Sequence, residues 1–422
     1  MKFLHVADVH LDAPLKGLNL TGEAPATQIR LAMNAAFSGM ISLAIEQQVD
    51  FVVIAGDLYD GEWTSMRTGL WVADQFRRLE QRKIPVYLLR GNHDNASNVR
   101  AAIKLPGNVH EFPVDRAGSF RIDELGVSLH GRGFGKRHEL EDMTPDYPEA
   151  VAGDFNIGVL HTSLGGDANH SPYAPTSHET LALKGYDYWA LGHIHTYRVV
   201  RESPAVVYSG CTQGRHAKET GEKGCVLVDV DDHRQVTLAF QPLDVVRWHL
   251  VSVRLEIEDG LNELLETVEQ ELTRVREESD GRLAAVRLDL SGSCRCYEAI
   301  ETAEGRDRVQ GELQNVAQSI GEVWLESIQF GLLPPVSLEE LRAGDDLVGE
   351  MLRDLQQALS RSGQDHESEQ DELMADLKEF HRKHLRELRE AYDNFGDEES
   401  LHRWLVTAEG CVASLLGELK LS

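Results

Sequence analysis

The chain has 422 residues, which is too long for one ordinary domain, and its composition of 41% hydrophobic and 27% charged residues is that of a globular soluble protein. Its formal net charge of −28 argues against a protein that holds nucleic acid by neutralising many phosphates. The sequence has no membrane-length apolar run and no signal-peptide pattern after Met1, so we expect a cytoplasmic protein with no membrane partner.

The first 90 residues alternate apolar runs with amphipathic stretches. Apolar runs at 2–7, 51–55 and 84–89 predict buried strands. Apolar residues at three- and four-residue steps predict helices from about Thr27 and over 66–82. Alternation of this kind is typical of right-handed βαβ units on a buried parallel sheet.

From Val109 the pattern changes to short strands separated by turn residues. The predicted strands are 109–113, 119–122, 127–130, 155–161, 186–191, 205–208, 224–230 and 235–240. Few helices interrupt them, so we expect a second sheet stacked on the first with helices outside. The predicted fold class is α/β, a two-sheet αββα sandwich over residues 1–243.

After Leu243 the pattern restarts. Strands are predicted at 249–257, 283–290 and 323–330, with helices at 260–278 and 306–320. This βαββαβ-like order suggests a small, separately packed α+β domain over residues 244–333. Residues 334–422 have a helical pattern with narrow apolar stripes on highly charged helices, which need a partner surface. That partner is either the other helix of the same hairpin or a second protein.

Residues of the metal-ligand type follow several predicted strands. They are Asp8, His10, Asp57, Asn92, His93, His161, His193 and His195. All could meet along one edge of the packed sheets, because open α/β folds bind ligands at the carboxyl ends of their strands. Imidazole, carboxylate and amide donors without thiolates suit Mn²⁺, Fe²⁺ or Zn²⁺. The set is too large for one ion and fits two ions that share a bridging carboxylate. We assign His5 to the core.

These residues form an ordered series of motifs. The series is Asp8-x-His10, Gly56-Asp57-x-x-Asp60, Gly91-Asn92-His93-Asp94, His161 and Gly192-His193-x-His195. It resembles the calcineurin-like metallophosphoesterases. Within that superfamily, segments 57–63, 186–191 and 213–225 look most like the bacterial YhaO-type DNA-repair exonucleases, relatives of SbcD. The resemblance of the catalytic region covers roughly the first 240 residues. Beyond this region the resemblance is limited to the order and type of the segments, which are a small capping, DNA-binding-like domain and then helices.

The resemblance implies a two-metal site, with Mn²⁺ expected and Fe²⁺ or Zn²⁺ as alternatives. One ion would be held by Asp8, His10, Asp57 and His195. The other would be held by Asp57, as the bridge, with Asn92, His161 and His193. Two ions about 3.5–4 Å apart can lower the pKa of a bridging water and stabilise in-line displacement at phosphorus.

The resemblance also implies roles for residues around the metals. His93 would protonate the departing oxygen as a general acid, and Asp94 would orient its imidazole, although an Asp there can equally cap the turn. Asp60 would orient a metal-bound histidine. Arg215 and His216 lie in a glycine-bearing loop and could bind a phosphate backbone, or they could belong to a solvated basic loop.

The function that this resemblance implies is a DNA exonuclease in DNA repair, with DNA as its substrate and an SMC-like ATPase as companion through the C-terminal helices. A homodimer stays open. One alternative is a metallophosphatase or nucleotide phosphodiesterase acting on small substrates. Protein phosphatases of the superfamily carry an arginine after the second aspartate of Gly-Asp-x-x-Asp, where this chain has Gly61-Glu62. A second alternative is a non-catalytic module that docks a partner.

Overall fold

The computed structural model describes residues 1–13, 23–61, 66–94, 103–165 and 173–335, together with residue 343. Of residues 23–27 and 30 it describes the backbone alone. The predicted C-terminal helices, with their role in partner docking, therefore lie outside the described residues. The domain boundaries at 243/244 and 333/334 remain predictions.

The described residues form the following elements in chain order. They are β1 (Lys2–Val6), α1 (Glu23–Glu46), β2 (Phe51–Ala55), α2 (Met66–Glu80), β3 (Val86–Leu89), β4 (Val109–Glu111), β5 (Gly118–Ile122), β6 (Val127–Gly131), β7 (Phe155–His161), α3 (His178–Leu183), β8 (Tyr188–Gly192), β9 (Arg198–Glu202), β10 (Ala205–Tyr208), β11 (Gly224–Val230), β12 (Val236–Pro242), β13 (Val246–Arg254), α4 (Leu261–Glu278), β14 (Leu283–Ser293), α5 (Tyr297–Ile300), α6 (Ala303–Ile320) and β15 (Val323–Leu333).

The first sheet has the strand order β12-β11-β1-β2-β3-β4. Strands β1 to β4 are parallel, while β11 and β12 run antiparallel beside β1. Helix α1 connects β1 to β2, and α2 connects β2 to β3. The predicted βαβ units are therefore confirmed. One face of this sheet packs Leu4, Val6 and Ile54 against Phe37 of α1 and Phe76 of α2.

The second sheet has the order β5-β6-β7-β8-β10-β9, with β6, β7, β8 and β10 parallel. A buried cluster lies between the two sheets and contains Phe3, Phe51, Ile157 and Tyr188. Phe3 stacks on Phe51 at 4.8 Å and meets the Tyr188 ring edge-on at 5.4 Å. The two-sheet sandwich is confirmed.

One strand of the second sheet, β9, and the short helix α3 were not predicted. Strand β9 is largely exposed at the sheet edge, so it carries no alternating apolar pattern. Helix α3 has six residues, and the hydroxyl of its N-cap residue Ser177 accepts a hydrogen bond from the Thr180 amide. Six residues are too few to show a helical repeat.

The third sheet has three strands in the order β13-β14-β15. Helix α4 lies between β13 and β14 in the chain, and α5 and α6 lie between β14 and β15. The α+β character agrees with the prediction, but the βαββαβ-like order is wrong, because a single strand separates the two helical segments. None of the helices in the described part of the chain is long and apolar enough to cross a membrane.

His5 lies in the core of the sandwich, as predicted, and is fully buried. Its Nδ1 is 2.9 Å from the Tyr188 hydroxyl, and its Nε2 donates to the Leu191 carbonyl at 3.1 Å. Both contacts reach from β1 to β8 of the other sheet. Burial lowers the pKa of His5 from 6.5 to about 3, and the hydrogen bond to Leu191 only partly offsets this effect.

A neutral buried His5 should make the fold sensitive to acid. Below pH 6.5 the unfolded chain binds a proton at His5 that the folded chain excludes until about pH 3, so stability falls as the pH falls through this window. When the pH is lowered from 6.5 to about 4.5, we expect the unfolding free energy of wild type to fall by about 2 kcal/mol more than that of His5→Gln. Urea titrations at the two pH values measure this, with exposed His233→Gln as the control. Equal losses in His5→Gln and wild type would refute the assignment.

Candidate metal centre

The site begins in the loops that follow β1 and β2, which run side by side. The Asp8 amide donates to the Gly56 carbonyl at 3.1 Å, and the His10 amide donates to the Asp57 carbonyl at 3.0 Å. Asp8, His10 and Asp57 have φ values of 52°, 50° and 53°. Positive φ is uncommon outside glycine, and residues held there by their surroundings cluster at functional sites. These loops therefore hold three predicted ligands in a constrained backbone.

Three glycines let the backbone approach these ligands closely. A Cβ at Gly56 would lie 2.3 Å from Nδ1 of His161, and one at Gly91 would lie 2.2 Å from Oδ1 of Asp57. A Cβ at Gly192 would lie 2.1 Å from the Ala55 carbonyl oxygen. Each glycine precedes a predicted site residue in its motif. The glycines are thus required by packing around the ligands.

The first group of ligand atoms belongs to Asp8, His10 and His195, which lie within 4.8 Å of one another. The Nε2 atoms of His10 and His195 are 3.2 Å apart, and Oδ1 of Asp8 is 3.9 Å and 3.8 Å from them. This Oδ1 is buried and accepts no hydrogen bond within the described part of the chain. Buried carboxylate oxygens normally have a partner. A divalent cation between these atoms fits the donor set.

The second group contains Asp8, Asp57 and His161, with the Asn92 side chain beside it. His161 donates from Nδ1 to the Ala55 carbonyl at 3.0 Å, so Nε2 is its metal-facing nitrogen. That Nε2 is 2.9 Å from Oδ1 of Asn92 and 3.4 Å from Oδ2 of Asp57. Oδ2 of Asp57 is also 3.8 Å from Nε2 of His10. Asp57 therefore lies between the two groups, where a bridging ligand belongs.

His193 reaches the second group through both backbone and ring. Its amide donates to Oδ2 of Asp8 at 2.9 Å, and its φ is 100°. Its ring lies 5.3 Å from the His161 ring. The structure thus brings together all seven predicted ligands at the ends of β1, β2, β3, β7 and β8.

The acids and histidines of the site perturb one another. Burial raises the pKa of Asp57, but the His161 and His10 charges outweigh it and hold the pKa well below its usual range. Burial lowers the pKa of His161, and the negative charge of Asp57 overcomes this and raises it to about 9. Burial also raises the pKa of Asp8 and lowers that of His10 to about 3. Acids concentrated in a buried space create a potential that favours cations.

His93 lies beside the metal groups and is partly exposed. Its Nδ1 is 2.8 Å from Oδ1 of Asp60, and the same oxygen is 3.4 Å from Nδ1 of His10. Burial lowers the pKa of His93, but contact with Asp60 and the charge of Asp57 raise it overall. Asp94 accepts hydrogen bonds from the amides of Tyr59 and Gly91, at 3.0 Å and 2.9 Å. Both contacts hold the backbone of the turn. The carboxylate that lies against Nδ1 of His93 belongs to Asp60.

Arg215 and His216 lie next to the first group, beside an acid that the sequence analysis did not assign. Glu219 accepts from Nδ1 of His195 at 2.6 Å and from the Arg215 guanidinium at 3.1 Å. Nε2 of His216 is 3.7 Å from the same carboxylate. Glu219 occurs within segment 213–225, but its contact with His195 spans 24 residues and left no local signal. Arg215 also lies 4.0 Å from Asp60.

Two family models match the chain. Residues 1–197 match the calcineurin-like phosphoesterase model. Residues 248–332 match the middle domain of the metallophosphoesterase YhaO.

Curated proteins are similar over much of the same length. A Bacillus subtilis protein, described as the uncharacterized metallophosphoesterase YhaO, is 36% identical over 69% of this chain and 72% of its own length. The DNA double-strand break repair protein Mre11 of Archaeoglobus fulgidus is 28% identical over 53% of this chain and 52% of its own length. A component of the nuclease SbcCD from Staphylococcus epidermidis is 24% identical over 62% of this chain and 75% of its own length.

Gly91→Ala should damage the metal centre, because the added Cβ would lie 2.2 Å from Oδ1 and 2.8 Å from the amide nitrogen of Asp57. We expect the variant to bind Mn²⁺ at least about tenfold more weakly than wild type. Metal analysis after removal of free Mn²⁺ measures this. Gly311→Ala, in α6, is the control, since its Cβ would meet no atom within 4 Å. Wild-type metal content in Gly91→Ala would contradict the assignment of Asp57.

Proposed function

This chain belongs to the calcineurin-like metallophosphoesterases, and from that premise we propose that it is a two-metal phosphodiesterase acting as a DNA exonuclease in DNA repair. One observation carries the proposal: Asp57 lies between two groups of ligand atoms, with the His93 imidazole beside them. The DNA substrate is supported by the Mre11 and SbcCD relatives, whose names describe DNA repair and nuclease proteins.

We propose the following ligands. One ion is held by Asp8, His10, Asp57 and His195. The other is held by Asp57, Asn92, His161 and His193. Carboxylate, imidazole and amide donors favour Mn²⁺, with Fe²⁺ and Zn²⁺ as alternatives. Two such ions supply positive charge for the phosphate oxygens and lower the pKa of a water molecule.

The chain's own side chains divide the remaining work. We assign proton donation to His93, because it stands next to the ligand Asn92 and exposes 30% of its side chain. Asp60 contacts Nδ1 of His93, which leaves Nε2 as the atom that gives its proton to the departing oxygen. We therefore give the orienting role to Asp60, and we assign Asp94 to holding the backbone of the turn.

Arg215 and His216 remain our proposed substrate contacts. His216 exposes 48% of its side chain next to the first metal group. Arg215 exposes 19% and is held by Glu219. A charge of −28 disfavours broad contact with a polyanion, so we expect the DNA backbone to meet the protein over a short stretch at this rim.

The purified protein with Mn²⁺ should degrade linear DNA, and His93→Ala should lower the rate by about 10²-fold or more. The variant should keep two bound Mn²⁺ ions, because His93 is not a proposed ligand. His233→Ala, at an exposed site far along the chain, should keep wild-type activity. Wild-type protein that hydrolyses small phosphodiesters but leaves DNA intact would favour a nucleotide phosphodiesterase. Absence of all hydrolysis with both metals bound would favour a non-catalytic docking module.

We further propose that the protein works in the cytoplasm with an SMC-like ATPase, bound through the C-terminal region, residues 334–422. The narrow apolar stripes of this segment need a partner surface. A protein that ends at Pro335 should lose binding to such an ATPase while it keeps hydrolysis of small phosphodiesters, which is the matched control. Co-purification measures binding of the ATPase. Light scattering of the protein alone separately decides between a monomer and a homodimer. Unchanged ATPase binding after the deletion would refute this role.

A further inference from the structure

Glu219 is a buried acid that accepts a hydrogen bond from His195, a proposed metal ligand. Glu219 lies in the loop between β10 and β11 and is 8% exposed. Burying a carboxylate is unfavourable unless its oxygens are hydrogen-bonded and its charge is paired. Both oxygens are occupied here: Oε1 accepts from His195 and Oε2 accepts from the Arg215 amide at 2.7 Å.

The contact with His195 determines which ring nitrogen faces the metals. Nδ1 donates its proton to Glu219 at 2.6 Å, so the lone pair is on Nε2. That Nε2 lies 3.2 Å from Nε2 of His10 and 3.8 Å from Oδ1 of Asp8. A carboxylate behind a ligating imidazole fixes its orientation and makes it a stronger donor. Glu219 is therefore placed to hold His195 as a ligand of one ion.

Glu219 also holds the arginine of the rim. The Arg215 guanidinium is 3.1 Å from Oε1 of Glu219 and 4.0 Å from Oδ1 of Asp60. Asp60 in turn contacts Nδ1 of His10 and of His93. A series of ion-pair contacts thus connects His195 to His93 through Glu219, Arg215 and Asp60, whose charges alternate in sign.

The backbone around Glu219 is packed for this contact. A Cβ at Gly214 would lie 2.8 Å from the Glu219 carbonyl oxygen, so the loop closes tightly at this point. The Lys223 ammonium donates to the His195 carbonyl at 3.4 Å. Segment 213–225, which the sequence analysis singled out, therefore supports His195 from both its ring and its backbone.

We propose that Glu219 is a positioning residue, which holds His195 in the orientation that binds one of the two metal ions and anchors Arg215 beside it. Both oxygens of Glu219 are engaged by donors of the protein, so we assign it to positioning His195 and not to ligating an ion. The inference rests on the two-metal part of the proposed function, and it is independent of DNA as the substrate.

The test is calorimetric titration of Mn²⁺ into the full-length, metal-free protein, without DNA. Glu219→Gln keeps an acceptor for His195 but removes the negative charge. We expect one of the two Mn²⁺ ions to bind about 10- to 100-fold more weakly and the other to bind as in wild type. Glu222→Gln is the matched control, since Glu222 belongs to the same loop but pairs with Arg247. It should bind both ions as wild type does.

Two further variants connect the weakened site to His195. His195→Ala should weaken the same ion as Glu219→Gln, and adding Glu219→Gln to His195→Ala should cause little further loss. Glu219→Asp keeps the charge beside Arg215 but withdraws it from His195, so it should fall between wild type and Glu219→Gln. It also provides the measurement if Glu219→Gln does not fold.

Unchanged affinity for both ions, or equal weakening of both, would overturn the assignment. Because Mn²⁺ binding is measured without DNA, failure of the exonuclease proposal would leave this result standing. Conversely, if wild type cleaves DNA and Glu219→Gln binds both Mn²⁺ ions as wild type does, the positioning role is refuted and the exonuclease proposal stands.

Discussion

The site depends on two carboxylates, Asp8 and Asp57, that are each 1% exposed at the ends of adjacent parallel strands. Acids this deeply buried are unfavourable unless opposite charge compensates them. The surrounding chain is shaped by that requirement. Histidines at the ends of β3, β7 and β8 approach them, glycines remove the side chains that would block contact, and both acids adopt positive φ. The fold tolerates this strain because the two-sheet core holds the strand ends in place.

The sequence predicted the parts of this arrangement that are local. Apolar runs located the central strands, since strands buried on both faces are nearly all hydrophobic. Once the strands were known, the carboxyl ends of parallel strands brought Asp8, Asp57 and Asn92 to one edge. The motif order then identified His161, His193 and His195. Edge strand β9 and helix α3 were missed because exposure and shortness removed their periodic signal.

Interactions between distant residues were the part that the sequence could not supply. Asp94 follows His93 directly, yet its carboxylate caps backbone amides, whereas Asp60, from the loop after β2, reaches the His93 ring. The contact between Asp60 and His93 joins two separate loops, so no local pattern in the sequence specifies it. Glu219 was missed for the same reason, since its partner His195 lies in another loop.

The charge distribution indicates where affinity for a phosphodiester comes from. Arg215 is a cation beside the first group of ligand atoms, but its charge is already engaged by Glu219 and approached by Asp60. With a net charge of −28, the rest of the protein repels a polyanion. On the proposed function, the attraction for the reacting phosphate would therefore come mainly from the two divalent ions, and the buried acids that would hold those ions would also control substrate binding. The residues that orient the proposed ligands would then influence both metal binding and phosphodiester binding, because the same buried acids underlie both.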